Sequence, residues 1–270
     1  MKNFVIKASL ALSCTSIFFQ QAMAQSAADE IAKYRAMLAD GNPAELVEAQ
    51  GEALWTSKRG PKNVSLEQCD LGKGVGVIKG AYAALPRYFK DADMVMDFES
   101  RLVHCMVQLQ GFTREEVVKK PFSAQGERAT DLEALTAYVV GESRGSKILI
   151  SQTHPKEKAA YARGEKMFYF RGGPYDFACA SCHSVTGQRI RLQDLPNLSD
   201  PVAAQKAFAT WPAYRVSQGA VRTMQWRLND CFRQQRFPEL KYASATSIDL
   251  ITFLGVMAKN GSMDAPAIKR

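Results

Sequence analysis

Apolar residues recur at helical spacing in the first part of the chain. Within residues 26–40, Ile31, Tyr34 and Leu38 fall on one face, and this spacing predicts a helix. A second helix is predicted over residues 43–55. Two helices are therefore expected before Cys69.

Two later apolar stripes also have helical spacing. The stripe that starts at Leu132 follows a T-x-x-E run at 130–133, and the stripe that starts at Leu250 follows a T-x-x-D run at 246–249. In such capping patterns the threonine hydroxyl accepts a backbone hydrogen bond at the helix start. Both stripes are predicted to be helices, and residues 147–151 between them are predicted to be a short strand.

The N-terminus has the pattern of a secretory signal peptide. Lys2 and Lys7 precede an apolar run at 8–19, and Ala22-Met23-Ala24 then supplies an A-x-A-type cleavage site. Cleavage after Ala24 is expected to release residues 1–24. No later run is long enough for a membrane helix, so we expect an exported protein without a membrane span, in the bacterial periplasm.

The chain contains two copies of one spaced pattern. The intervals between matched residues are preserved within each block, and the matches occur in the same order, which predicts an internal duplication. The expected domains are residues 25–150 and 151–270, called here the first and second repeats. The matched pairs are Gly51 with Gly164, Trp55 with Phe168, Gly60 with Gly173, Pro86 with Pro212, Arg101 with Arg227, and Cys105 with Cys231.

The second repeat carries the run Cys179-Ala180-Ser181-Cys182-His183, a C-x-x-C-H pattern typical of covalent c-type haem attachment. Cys179 and Cys182 can each form a thioether to a haem vinyl group, and His183 can bind the iron. A zinc site would need a second ligand pair, which the remaining His and Cys residues do not provide. A thioredoxin-type pair would normally follow a strand in a βαβ unit, and His183 would then be incidental.

The spacing of Gly51 and Gly164 before an aromatic residue resembles the first helix of c-type cytochromes. The resemblance implies a mainly α fold built as a tandem pair of cytochrome c-like domains. The run C-D-L-G-K at 69–73 is taken as the first repeat's counterpart of C-x-x-C-H, and it lacks the second thiol and the histidine. We therefore expect one haem in all, and a disulfide between Cys69 and Cys105 across the N-terminal site that has no haem.

Cys231 is then left without a partner, and it is the candidate for the distal side of the haem. A thiolate is a strong iron ligand. On a helix, Arg227 would lie on the same face one turn earlier, where its guanidinium could stabilise the thiolate and bind an oxyanion. Met224 and Met257 are the competing distal ligands, and a small buried core residue is the competing interpretation of Cys231.

The balance of charge is basic, with a formal net charge of +8 at pH 7. Export argues against nucleic acid as the partner. A basic surface instead attracts small anions or an acidic protein, although an ordinary solvated surface would look the same in the sequence.

The tandem architecture, the run F-A-C-A-S-C-H at 177–183 and the late Arg227-x-x-x-Cys231 together resemble the SoxA family of bacterial sulfur oxidation. The resemblance implies an L-cysteine S-thiosulfotransferase that works with the cytochrome SoxX and joins thiosulfate to a cysteine of the carrier SoxYZ. It also implies that Cys179 and Cys182 attach the haem and that His183 and Cys231 are the axial ligands. Cys231 would be the catalytic residue, persulfidated in the family, and Arg227 would bind substrate.

Two other functions remain open from the sequence. One is a thiosulfate dehydrogenase-like enzyme, which couples two thiosulfates to tetrathionate at a haem with a cysteine ligand. The other is a plain electron-transfer cytochrome c with Met224 as its distal ligand.

Overall fold

The computed structural model describes residues 41–190 and 193–269. The predicted signal peptide and the predicted helix at 26–40 lie outside these residues. Within them the protein is mainly α-helical, as predicted. The helices of residues 41–190 and 193–269 include none with the length and apolar character needed to cross a membrane.

The first repeat contains four helices and one hairpin in the described residues. Its first helix confirms the one predicted over residues 43–55. A short 3-10 turn at Leu66–Gln68 separates this helix from the hairpin, and a π-helical turn extends the second helix. The elements are α1 (Ala44–Thr56), β1 (Arg87–Phe89), β2 (Met94–Met96), α2 (Phe98–Cys105), α3 (Arg114–Val118) and α4 (Asp131–Gly141).

The second repeat also places a hairpin between its first and last helices, and in the described residues it has five helices, a further small hairpin and a final strand. Strand β5 (Ala213–Arg215) pairs antiparallel with β6 (Ala220–Arg222) and parallel with β7 (Ala267–Lys269), so the sheet order is β6-β5-β7. The elements are α5 (Pro155–Tyr169), α6 (Cys179–His183), β3 (Arg189–Ile190), β4 (Gln193–Asp194), α7 (Pro201–Phe208), β5 (Ala213–Arg215), β6 (Ala220–Arg222), α8 (Met224–Gln234), α9 (Ala245–Met257) and β7 (Ala267–Lys269).

The first and last helices of each repeat cross closely at a glycine. A Cβ atom on Gly51 would lie 2.0 Å from the carbonyl oxygen of Ala134, and one on Gly164 would lie 2.0 Å from that of Asp249. Only a residue without a side chain permits this approach of two backbones. The matched glycines of the sequence are therefore explained by the same helix crossing, made once in each repeat.

The two predicted helix caps have different outcomes. Thr130 accepts a hydrogen bond from Glu133 N and completes a capping box at the start of α4, as predicted. The cap predicted at Thr246 is wrong, because Ser244 caps α9 and Thr246 lies inside the helix. The carboxylate of Asp249 instead accepts two hydrogen bonds from Arg163 on α5, at 2.7 and 2.8 Å.

The strand predicted over residues 147–151 is also wrong. The segment is extended, but only Lys147 forms a bridge, to Ser262. Leu149 N donates to Ala83 O in the first repeat, and Ile148 N donates to Gly261 O in the second. The backbone groups are thus divided between two neighbours, and no continuous strand ladder forms.

Buried polar contacts join the two repeats. Arg222 on β6 pairs with Glu133 on α4 at 3.0 Å, and the two side chains are only 3% and 0% exposed. Gln225 at the start of α8 donates to the carboxylate of Asp97, which caps α2, at 2.7 Å. Buried charges of this kind are tolerated only with such partners, so these contacts fix how the repeats meet.

Glu99 lies in the same buried junction, and we expect it to make stability depend on pH. Burial, reinforced by the negative charge of Asp97, raises the pKa of Glu99 from 4.5 to about 8. Between these values the folded protein holds a proton that the unfolded chain has released. The stabilising contribution is therefore complete below pH 4.5 and is lost as the pH rises through about 8.

A Glu99→Gln variant should lose this pH dependence. Its free energy of unfolding should rise relative to that of the wild type as the pH increases from 4.5 to 8. Urea unfolding at a series of pH values measures the difference, with the exposed Glu115→Gln as the matched control. Parallel curves for Glu99→Gln and wild type would contradict a protonated Glu99.

Candidate active site at the C-A-S-C-H helix

The C-A-S-C-H run forms the short helix α6. Ala178 N donates to the Ser181 side chain at 2.9 Å, which helps to fix the start of the turn. Cys179 and Cys182 are one turn apart, half-buried and without a disulfide partner. Burial, reinforced by the charge of Cys231, raises the pKa of the Cys179 thiol to about 12.

His183 at the end of α6 is held by a carbonyl group. Its Nδ1 lies 3.0 Å from the carbonyl oxygen of Pro196. A carbonyl can only accept, so Nδ1 carries the hydrogen and Nε2 keeps the lone pair needed for a metal. Burial lowers the pKa of His183, and the positive charge of Arg227 lowers it further, whereas the Pro196 carbonyl raises it.

Cys231 lies on α8 one turn after Arg227, in the arrangement that the sequence predicted. Burial raises the pKa of the Cys231 thiol, and Asp230 and Cys182 also raise it, while Arg227 and Arg215 lower it. The charge of Cys231 raises the pKa of Cys179, and that of Cys182 raises the pKa of Cys231, so the three free thiols of the described residues lie within range of one another's charges. The structure thus brings the C-x-x-C-H helix and the late cysteine helix to one site.

Asp230 connects two of the arginines on α8. Its carboxylate lies 3.1 Å from a guanidinium nitrogen of Arg227 and 2.8 Å from one of Arg233. The Arg227 side chain is 27% exposed, and that of Arg233 is 72% exposed. One carboxylate shared between two cations leaves the cluster positively charged, and Arg227 is less exposed than Arg233.

The methionine and histidine side chains that could otherwise bind the iron make packing or polar contacts. Met224 is buried in the core at the start of α8, and Met257 packs against the same core from α9. His104 lies 3.5 Å from Asp91, and His154 caps α5 and stacks on the ring of Tyr88. Each of these side chains therefore has a packing, ion-pairing or capping role in the structure.

Several large apolar side chains are exposed in the segments around α6. Phe170 is 55% exposed, Phe177 41% and Val185 53%. Their presence beside two free thiols and an oriented imidazole fits a c-type haem, which needs two thioether attachments, an axial nitrogen and apolar contact for its ring. The donor set at residues 179–183 therefore suits the cofactor that the motif predicts.

The counterpart of C-A-S-C-H in the first repeat is three residues earlier than predicted. The bridge between Arg59 and Val64 matches the bridge between Gly172 and Phe177, and a helical turn follows each bridge at the same interval. The run L-E-Q-C-D at 66–70 is therefore equivalent to C-A-S-C-H, and the alignment to C-D-L-G-K at 69–73 is wrong. The equivalent residues are Leu66 with Cys179, Cys69 with Cys182, and Asp70 with His183.

The first repeat contains the predicted disulfide. Cys69 and Cys105 are bonded, with their Cα atoms 5.8 Å apart and a sequence separation of 36. With the corrected alignment, this bond joins the counterpart of Cys182 to the counterpart of Cys231. Both sulfurs are buried in the core. The first repeat therefore has a packed disulfide at the position where the second repeat has free thiols.

The comparison with known proteins defines the class of this chain. A model of the SoxA/TsdA cytochrome c domain matches residues 50–148 and 163–263, one range within each repeat. The protein is thus a tandem c-type cytochrome, consistent with its crossed helices and its C-x-x-C-H helix. The chain belongs to the SoxA/TsdA cytochrome c domain family.

Two relatives and one solved structure show which members of this family the chain resembles. The chain is 51% identical to the L-cysteine S-thiosulfotransferase subunit SoxA of Hydrogenophilus thermoluteolus, covering 89% of this chain and 87% of that protein. It is 31% identical to a subunit of the same name from Hydrogenobacter thermophilus, with 92% of each covered. Its fold matches the crystal structure of SoxXA from P. pantotrophus, with a TM-score of 0.69 at 20% identity, over 85% of this chain and 79% of that one.

Proposed function

We propose that this chain is the SoxA-type subunit of an L-cysteine S-thiosulfotransferase, which joins thiosulfate to a cysteine of the carrier SoxYZ. One observation supports the proposal: the free Cys231 lies one helical turn from Arg227, and the charges of Arg227 and of Cys182 in the C-x-x-C-H helix both act on its thiol. A nucleophilic sulfur, an anion-binding group and an electron-transfer cofactor are the three parts that this reaction needs. The named SoxA relatives support the same reading.

In this proposal the second repeat binds one c-type haem. Cys179 and Cys182 would attach it, and His183 and Cys231 would hold its iron. The haem supplies an acceptor that takes electrons from the site one at a time. The first repeat has no haem, because Leu66 and Asp70 replace the first cysteine and the histidine of the motif, and Cys69 is in a disulfide.

The proposed reaction can be written so that atoms and electrons balance. The Cys231 thiol forms an S–S bond with the terminal sulfur of thiosulfate, releasing one proton and two electrons. A thiolate of SoxYZ then attacks the same sulfur atom, and Cys231 leaves as a thiolate. The carrier keeps the S–S–SO₃⁻ group, and the next cycle starts from Cys231 again.

Arg227 holds the anion during this reaction. A guanidinium fork matches two oxygens of a sulfonate group, and its charge opposes the charge of the substrate. It also stabilises the Cys231 thiolate, consistent with its lowering effect on the pKa of that thiol. The backbone turn between Arg227 and Cys231 sets the spacing between bound anion and attacking sulfur.

The partners and location follow from the same proposal. Two electrons leave for each bond formed, so a second redox centre is required, and the cytochrome SoxX would hold it in a heterodimer. We propose export to the periplasm by a signal peptide at residues 1–24. The two cytochrome-like domains would then be residues 25–150 and 151–270, with the boundary in the extended segment after α4.

Two assays on one preparation test the proposal. The haem-loaded chain with SoxX is given thiosulfate and an oxidised cytochrome acceptor, with or without SoxYZ. We expect acceptor reduction only with SoxYZ, and a mass increase of the carrier by one thiosulfate group. SoxYZ with its acceptor cysteine replaced by serine is the control. Acceptor reduction with tetrathionate formation in the absence of SoxYZ would identify a thiosulfate dehydrogenase instead.

A further inference from the structure

Arg215 lies beside the site but takes no part in the chemistry described so far. It ends β5 and is paired with Ala220 of β6. Its side chain is half-buried, and its Nε atom is buried without a hydrogen-bond partner in the described part of the chain. A buried guanidinium N–H left unpaired is costly, so such a group commonly serves a ligand.

The first repeat, which has no free thiols, has a different residue at the position equivalent to Arg215. The hairpins match residue for residue, with Phe89 paired to Met94 as Arg215 is paired to Ala220. The ring of Phe89 lies 4.1 Å below the guanidinium of Arg101, the counterpart of Arg227. The second repeat thus replaces a neutral ring with a second guanidinium next to the matched arginine.

The charges around these arginines also differ between the repeats. Arg101 is neutralised inside the first repeat, because it bonds the Asp91 carboxylate at 2.7 Å and the Asp70 carbonyl oxygen at 2.8 Å. Arg227 shares its only carboxylate in the described residues, Asp230, with Arg233. Arg215 has no ion pair in residues 41–190 and 193–269, so positive charge accumulates beside Cys231.

We propose that Arg215 is a second anion-binding residue, which holds the sulfonate group of dianionic thiosulfate together with Arg227 beside Cys231. The inference rests on the proposed function for the identity of the anion. Two guanidinium groups match the two negative charges of thiosulfate, and the unpaired Nε–H of Arg215 gains its missing acceptor. Burial and the charge of Arg227 lower the pKa of Arg215, as expected for two cations held close together without their anion.

The test measures KM and kcat for thiosulfate, and the inhibition constant of sulfate as an unreactive dianion, on the haem-loaded chain with SoxX. Arg215→Gln should raise KM and the sulfate inhibition constant by about tenfold or more, the usual loss for a charged hydrogen bond, with kcat within about twofold. Arg215→Lys should recover part of the affinity through its charge. Arg171→Gln, which removes an exposed arginine paired with Asp176, is the matched control and should leave both constants unchanged.

A second variant distinguishes a loss of anion binding from a loss of folding. Arg215→Phe copies the ring and arginine pair of the first repeat, so it should fold, attach haem and show the same loss of anion affinity as Arg215→Gln. Unchanged KM and sulfate inhibition in both variants would overturn the proposal. A shifted haem reduction potential with unchanged KM would also overturn it, because that result would assign Arg215 to a haem propionate. The sulfate measurement stands even if the product is tetrathionate, so this inference and the proposed function fail separately.

Discussion

Replacing Cys231 with alanine is expected to abolish thiosulfate conjugation while leaving the haem in place. Removal of a nucleophile that forms a covalent intermediate typically lowers kcat by about a thousandfold or more. Haem should remain because its proposed attachment uses Cys179 and Cys182. The rate of carrier modification measures the loss, and absorbance per protein mass measures the haem content.

A Cys231→Met variant separates the two roles of this sulfur. A thioether can bind iron but cannot form a persulfide or a mixed disulfide, so the variant should show a methionine–iron absorption band and remain inactive. If either the alanine or the methionine variant conjugated thiosulfate at the wild-type rate, Cys231 would not be the sulfur that reacts.

The second large effect is expected on stability. Replacing Cys69 and Cys105 together with alanine should lower the free energy of unfolding by about 3 to 4 kcal/mol, the chain-entropy value for a loop of this length. The bond closes a loop with a sequence separation of 36 residues in the core of the first repeat. Guanidinium unfolding of the haem-loaded protein, followed by circular dichroism, gives the difference.

Chemical reduction supplies a control for the disulfide. Wild-type protein that is unfolded, reduced and then refolded in reductant should match the double alanine variant, since both lack the bond. Conjugating activity at a temperature well below the unfolding transition should be unchanged, because the bond lies in the repeat without the free thiols. A double variant as stable as the oxidised wild type would show that the bridge constrains the unfolded chain very little.

Much of this fold could be predicted from the sequence because its constraints are local. A close helix crossing demands a glycine, so Gly51 and Gly164 revealed the duplication before any coordinates. The pairing of Cys69 with Cys105 followed from the duplication, because both positions match residues of the second site. The attachment motif at residues 179–183 is defined by covalent chemistry and needs no tertiary information.

The predictions from sequence are wrong where residues far apart in the chain determine the local structure. Thr246 was predicted as a cap from its spacing to Asp249, but Asp249 is used by Arg163 from another helix. In the first repeat, residue type alone aligns Cys69 with Cys179, whereas the register of the flanking bridges aligns Cys69 with Cys182. Arg215 carried no motif at all, and only its alignment to Phe89 through the paired strands draws attention to it.

Cys182 and Cys231 hold the positions whose counterparts are covalently joined in the first repeat. In the oxidising periplasm proposed for this protein, two thiols so placed are prone to close into a dead-end bridge. Linking Cys182 to a vinyl carbon withdraws one partner from that side reaction. Haem attachment would thus protect the Cys231 thiol from forming this disulfide. A working enzyme would then require haem to be attached before the two thiols are oxidised.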